Sequence, residues 1–114
     1  MGRPTKYKPE MCQQVIGFMA KGYSKEAAAA QIGVHRDTLY EWAKVHPMFS
    51  DAIKLAEGKS LLFWEKLGID GAMGKISHFN ASSWIFTMKN RFRWRDNPDL
   101  TIPDEEEAPD DYFL

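Results

Sequence analysis

The sequence predicts an all-α protein: an N-terminal helix-turn-helix domain, a helical hairpin used for oligomerisation, and an acidic C-terminal tail. Three observations carry this. Apolar residues recur at three- and four-residue spacing, with no strand-like alternation and no internal repeat. Ser24, an alanine run, Gly33, and then Val34, Leu39 and Trp42 follow the order that two short crossing helices need. Pro9, Gly22, Gly33, Pro47 and Pro98 fall between the periodic segments, where helices start and stop.

Met1 to Lys8 reads as a short arm with Gly2, Pro4 and the basic residues Arg3, Lys6 and Lys8. Pro9-Glu10 opens the first helix, since proline is tolerated in a first turn and an acid suits the positive end of the dipole. Val15, Ile16, Phe18 and Met19 form its apolar side, and Gly22 ends it. Ser24 is a good N-cap for the second helix, whose alanines let its backbone approach a neighbour closely. Gly33 supplies the tight turn without steric cost, and Val34, Leu39 and Trp42 can share one buried face of the third helix. His35 stands where Ser or Asp would cap more strongly. Pro47 marks the end of this unit, giving a first domain of residues 1–47.

From Met48 the pattern broadens. Phe49, Ile53, Ala56, Phe63 and Leu67 lie along one helical stripe, broken by Ser60; Leu55, Leu62 and Ile69 form a second at seven-residue spacing. Together these exceed what a simple core-facing helix needs. Gly68, Gly71 and Gly74 are expected to loosen the end, and Asn80 or Ser82 to cap a new helix. That helix carries Trp84, Ile85, Met88 and Phe92 with Lys89, Arg91, Arg93 and Arg95 interleaved, until Asn97-Pro98 stops it. Residues 48–97 thus form a second region. Residues 98–114 form an acidic, Pro-containing tail that is expected to stay unstructured until bound and ends in the apolar Tyr112-Phe113-Leu114.

Charged residues at 27% and hydrophobic residues at 44% are ordinary for a folded domain. The net charge of -1 hides a strong asymmetry: residues 1–47 carry +3, residues 48–95 carry +4, and residues 96–114 carry -8. A basic body suits a polyanion, and a separate acidic tail suits a protein contact or self-shielding. Cys12 is the single cysteine, so an internal disulfide is excluded and a reducing compartment is the simpler expectation. No apolar run approaches bilayer length and Met1-Gly2-Arg3-Pro4 lacks a signal-peptide core, so a cytoplasmic location and no membrane partner are expected.

Gly58-Lys59-Ser60 resembles the end of a phosphate-binding loop, but the motif requires glycine where Ile53 stands, and it falls inside a helical pattern. His35, His46, His78 and Cys12 lack metal-ligand spacing, and no nucleophile–base pair can be nominated. The chain is therefore not read as an enzyme, and neither a cofactor nor a small-molecule substrate is expected. Arg36, Thr38, Tyr40 and Lys44 are the third-helix residues not needed for the core, so they are the candidates to face DNA, joined by Arg3, Lys6 and Lys8 of the arm. Glu41 places an acid among them, which repels phosphate but can accept from cytosine.

Several motifs together resemble bacteriophage terminase small subunits, the DNA-recognition component of viral packaging motors. They are the Gly-Arg-Pro-Thr-Lys-Tyr opening, the segment 24–44, His46-Pro47-Met48-Phe49 leading into a long helix, and Trp84-Ile85-Phe86-Thr87-Met88-Lys89-Asn90-Arg91-Phe92-Arg93-Trp94-Arg95-Asp96. The last is the most discriminating, and the resemblance covers roughly residues 2–97. It implies a homo-oligomeric ring in the host cytoplasm that recognises double-stranded viral DNA and engages a large ATPase-nuclease subunit. For the ring, Phe49, Ile53, Leu55, Leu62, Phe63, Trp64 and Ile69 supply the apolar surface that a self-associating helix needs. For the partner, Tyr112, Phe113 and Leu114 are the candidate anchors. Two alternatives fit the same helices: a dimeric helix-turn-helix transcriptional regulator of phage or mobile-element origin, and an adaptor that does not bind DNA.

Overall fold

The computed structural model describes residues 6–96, and among these it contains five α-helices and no strand: α1 Met11–Met19, α2 Lys25–Gln31, α3 Arg36–Val45, α4 Pro47–Ala72 and α5 Ala81–Phe92. Among the described residues no helix is long and apolar enough to cross a membrane. Arg3 and the acidic segment 98–114 lie outside the described residues.

Local chemistry sets the boundaries. Ser24 takes an extended backbone and its hydroxyl accepts from the Ala27 amide, satisfying one of the orphan donors that open α2. Gly33 sits at φ 88°, the left-handed region that glycine enters freely, and reverses the chain between α2 and α3. Pro47 occupies the first turn of α4, where its missing N–H costs nothing. Asn80 caps α5 by accepting from the Ser83 amide.

The core forms where α1, α2, α3 and the first half of α4 meet. Val15 and Met19 of α1, Ala28 and Ala29 of α2, Leu39 of α3, and Phe49, Ala52, Ile53 and Ala56 of α4 share one buried cluster. The two alanines let α2 lie close to its neighbours, while Met19, Leu39 and Phe49 each remove enough apolar surface from water to contribute about 1.5–3 kcal/mol. Pro47 opens a helix whose first half packs into the same core as the three helices before it. Phe49 and Ile53 are corrected by that packing. They were expected on an association surface, but both are consumed by the chain's own core.

Beyond Ala56, α4 pairs with α5. Gly68 and Gly71 do not loosen α4, which runs unbroken to Ala72. They are the places where aromatic rings from beyond the helix lie on its backbone: a Cβ at Gly68 would collide with the Trp84 indole, and one at Gly71 with the Phe79 ring. The Trp84 Nε1–H donates to the Trp64 carbonyl at 2.7 Å, which fixes the depth of that insertion. Nor does α5 persist to Asn97. Arg93 takes a left-handed conformation (φ 61°), its amide and that of Trp94 both reach the Met88 carbonyl, and Trp94 turns back edge-on to Trp84.

Candidate nucleic-acid interface

The α2–turn–α3 segment positions the expected contact residues unequally. Arg36 stands exposed in the first turn of α3 and Lys44 exposed in its last, separated by eight residues, or roughly 12 Å of helix. Thr38 is half-buried, so it offers less surface than expected. Tyr40 is only partly free: its hydroxyl donates to Glu26 at 3.1 Å, and the Lys25 ammonium lies 5.4 Å from its ring centroid. Burial, and then the Glu26 carboxylate, raise the Tyr40 phenol above its ordinary value. The first turn of α3 is closed by His35, whose Nδ1 accepts from the Asp37 amide at 3.1 Å. That nitrogen therefore holds a lone pair, and its 3.4 Å approach to the Asp37 carboxylate becomes an ion pair only on protonation.

The basic arm is brought to the same helix by Tyr7. Its ring stacks on His46 with centroids 3.9 Å apart and lies edge-on to Trp42 of α3 and Phe49 of α4. Its hydroxyl meets the buried Cys12 Sγ at 3.5 Å, and Cys12 in turn donates weakly to the Met48 carbonyl. The hydrogen bond to Cys12, with burial added, pushes the Tyr7 phenol up to about 12. Lys6 and Lys8 flank this anchor, both exposed, and so sit at the C-terminal end of α3, the end that carries Lys44. The sequence alone marked residues 1–8 as an arm but gave Tyr7 no role.

The exposed face of α3 is balanced in charge. Arg36 and Lys44 face Asp37 and Glu41, and Lys44 approaches Glu41 at 3.7 Å. The surplus of positive charge comes from the arm.

On α4, Leu55, Leu62 and Ile69 are 52%, 64% and 58% exposed, and Met48, one heptad earlier, is 70% exposed. Met48 is the first member of that seven-residue series. Phe63 is partly exposed, its ring lying over Gly22. The Trp64 Nε1–H donates to the Gly22 carbonyl at 2.8 Å, so the indole ties α4 to the α1–α2 turn. Tyr112, Phe113 and Leu114 lie outside the described residues.

Arg91 makes a second tie between elements. The Arg91 guanidinium donates to the Gly22 carbonyl at 2.6 Å and to the Ser60 hydroxyl at 3.1 Å, and Ser60 donates onward to the Tyr23 carbonyl. Ser60, read as a break in an apolar stripe, is a buried and fully used polar group. Its partners come from α5 and the α1–α2 turn, which periodicity within α4 does not reveal. The chain matches no known protein family, curated protein or solved structure.

Proposed function

We propose that this chain is a DNA reader of the viral genome-packaging type, similar in role to a terminase small subunit. It binds double-stranded viral DNA through α2 and α3 as a helix-turn-helix, assembles into a ring through exposed residues of α4, and engages a large ATPase-nuclease subunit. The single observation that carries the reading is the docking of Tyr7 against Trp42 and His46, which sets Lys6 and Lys8 beside the exposed end of α3. A helix of ten residues with a basic arm at one end suits a major groove of about 12 Å and its flanking phosphates.

The balanced charge of α3 favours a second reading, an adaptor that does not bind DNA. The two separate by salt dependence. With Lys6, Lys8, Arg36 and Lys44 on phosphates, the logarithmic salt slope is about -3.6 per chain, so affinity for duplex DNA falls roughly 150-fold between 50 and 200 mM salt. Fluorescence anisotropy on the full chain checks this, with Lys6→Ala/Lys8→Ala expected to flatten the slope by about 2. An affinity indifferent to salt and to both substitutions would select the adaptor.

A further inference from the structure

Between α2, the middle of α4 and the end of α5 lies a groove of about 770 Å³. Its floor is apolar, with Met19, Leu61 and Phe92, and its rim carries Asn90, Arg91 and Arg93. Two acids also line it, but neither is free: Glu57 is paired with Lys25 at 2.9 Å, and Glu26 accepts the Tyr40 hydroxyl. The arginines are different. Arg91 spends its guanidinium on a carbonyl and a hydroxyl, and among the described residues neither Arg91 nor Arg93 has a carboxylate within ion-pair distance. A partly buried guanidinium held by neutral acceptors retains positive charge facing the groove.

We propose that this groove receives the chain's own acidic segment, residues 104–113, with the carboxylates of Asp104 to Glu107 at the arginine rim and Tyr112-Phe113 on the apolar floor. Charge complementarity argues for this occupant, since residues 96–114 carry -8 and no Lys or Arg. So does the path of the chain. After α5, Trp94 folds back on Trp84, and the Asp96 carboxylate accepts from Lys89 at 2.8 Å, which holds the start of the acidic segment alongside α5 itself. The eight residues from Asp96 to Asp104 span at most about 28 Å when extended, ample for the rim of a groove built on the same helix. Tethering makes the encounter intramolecular, so modest contacts suffice. Docked in this way, the segment that would engage a partner is sheltered until the partner displaces it.

The test uses the full chain and no DNA, so its outcome is distinct from that of the proposed function. Amide and arginine Nε–H NMR spectra of the native chain are compared with those of Asp104→Asn/Glu105→Gln/Glu106→Gln/Glu107→Gln. The expected result is displacement of the Gly58 amide, the Asn90 side-chain amide and the Arg91 and Arg93 signals, reproduced by raised salt and, for the Gly58, Asn90 and Arg91 signals, by Arg93→Glu in the full chain, and independent of protein concentration. Arg93 is chosen because it is exposed, whereas Arg91 also holds the fold together. Unmoved groove signals overturn the proposal, as do changes centred on Arg36 and Lys44 or shifts that depend on concentration. The last would assign the segment to a neighbouring copy.

Discussion

Tyr7 carries more of the structure than its place in a basic arm implies. It touches three aromatic rings and a buried thiol, and its hydroxyl is held in the protonated form. Three groups titrate higher in the folded chain than their ordinary values. Tyr7 is raised to about 12 by its bond to Cys12, Tyr40 by burial and then Glu26, and Lys25 by its hydrogen bond to Glu57. A group whose pKa is raised by folding stabilises the fold below its unfolded pKa, and loses that stabilisation as pH climbs through the folded value. With an unfolded value of 10.0, the Tyr7 contribution is complete below about pH 10 and is lost as pH climbs through about 12, while those of Tyr40 and Lys25 begin to fall above their unfolded values of 10.0 and 10.5. Urea midpoints measured from pH 7 to 12 should therefore fall above pH 10. Tyr7→Phe should lower the plateau by about 1 kcal/mol for the lost hydrogen bond and make the alkaline fall shallower. Parallel curves for the two proteins would show that Tyr7 is not the group being titrated.

At the scale of elements, a glycine within a helix has opposite meanings at two positions. Gly17 in α1 has open space where a Cβ would go, so Gly17→Ala should stabilise by about 0.5–1 kcal/mol through helix propensity alone. Gly68 in α4 lies under the Trp84 indole, so Gly68→Ala should destabilise by roughly 1–3 kcal/mol despite the same propensity gain, because the ring must move. Thermal or urea unfolding of the two variants checks the sign. The contrast also explains what could be read in advance. Ser24, Gly33 and Asn80 were legible because a cap or turn depends on neighbours within three or four residues. Gly68 and Gly71 were misread as a weak helix end because their partners, Trp84 and Phe79, come from beyond α4. The partners of Ser60, Arg91 and Trp64 are hidden from periodicity for the same reason, since all three converge on the α1–α2 turn. Periodicity showed that Phe49 and Ile53 face something apolar but not what. The structure answers with α1 and α3, not with a second copy.

For the whole molecule, separating the two stripes of α4 sharpens the assembly proposal. The stripe of Phe49, Ile53 and Ala56 closes the core, which leaves Met48, Leu55, Leu62 and Ile69 as the apolar series facing outward. Those four span 21 residues, about 32 Å of helix, long enough to form a continuous seam with a neighbour at heptad spacing. Because the core does not use them, Leu55→Glu/Leu62→Glu should leave helix content and unfolding midpoint close to native while lowering the solution mass. Light scattering across concentration is expected to give a closed assembly well above a dimer for the native chain and a monomer for the variant. DNA affinity should drop in step, because each module alone presents a nearly neutral α3 and a short arm. A ring gains its affinity from effective concentration, an advantage of order 10²–10⁴ that a monomer forfeits without losing a single contact to DNA. If the variant becomes monomeric yet binds DNA as tightly as the native chain, the seam is real but recognition does not depend on it, and the dimeric-regulator reading gains weight over the ring. If both proteins are monomers, the exposed series is an ordinary surface feature, and the proposed DNA recognition has only Arg36, Lys44 and the arm of one chain to rest on.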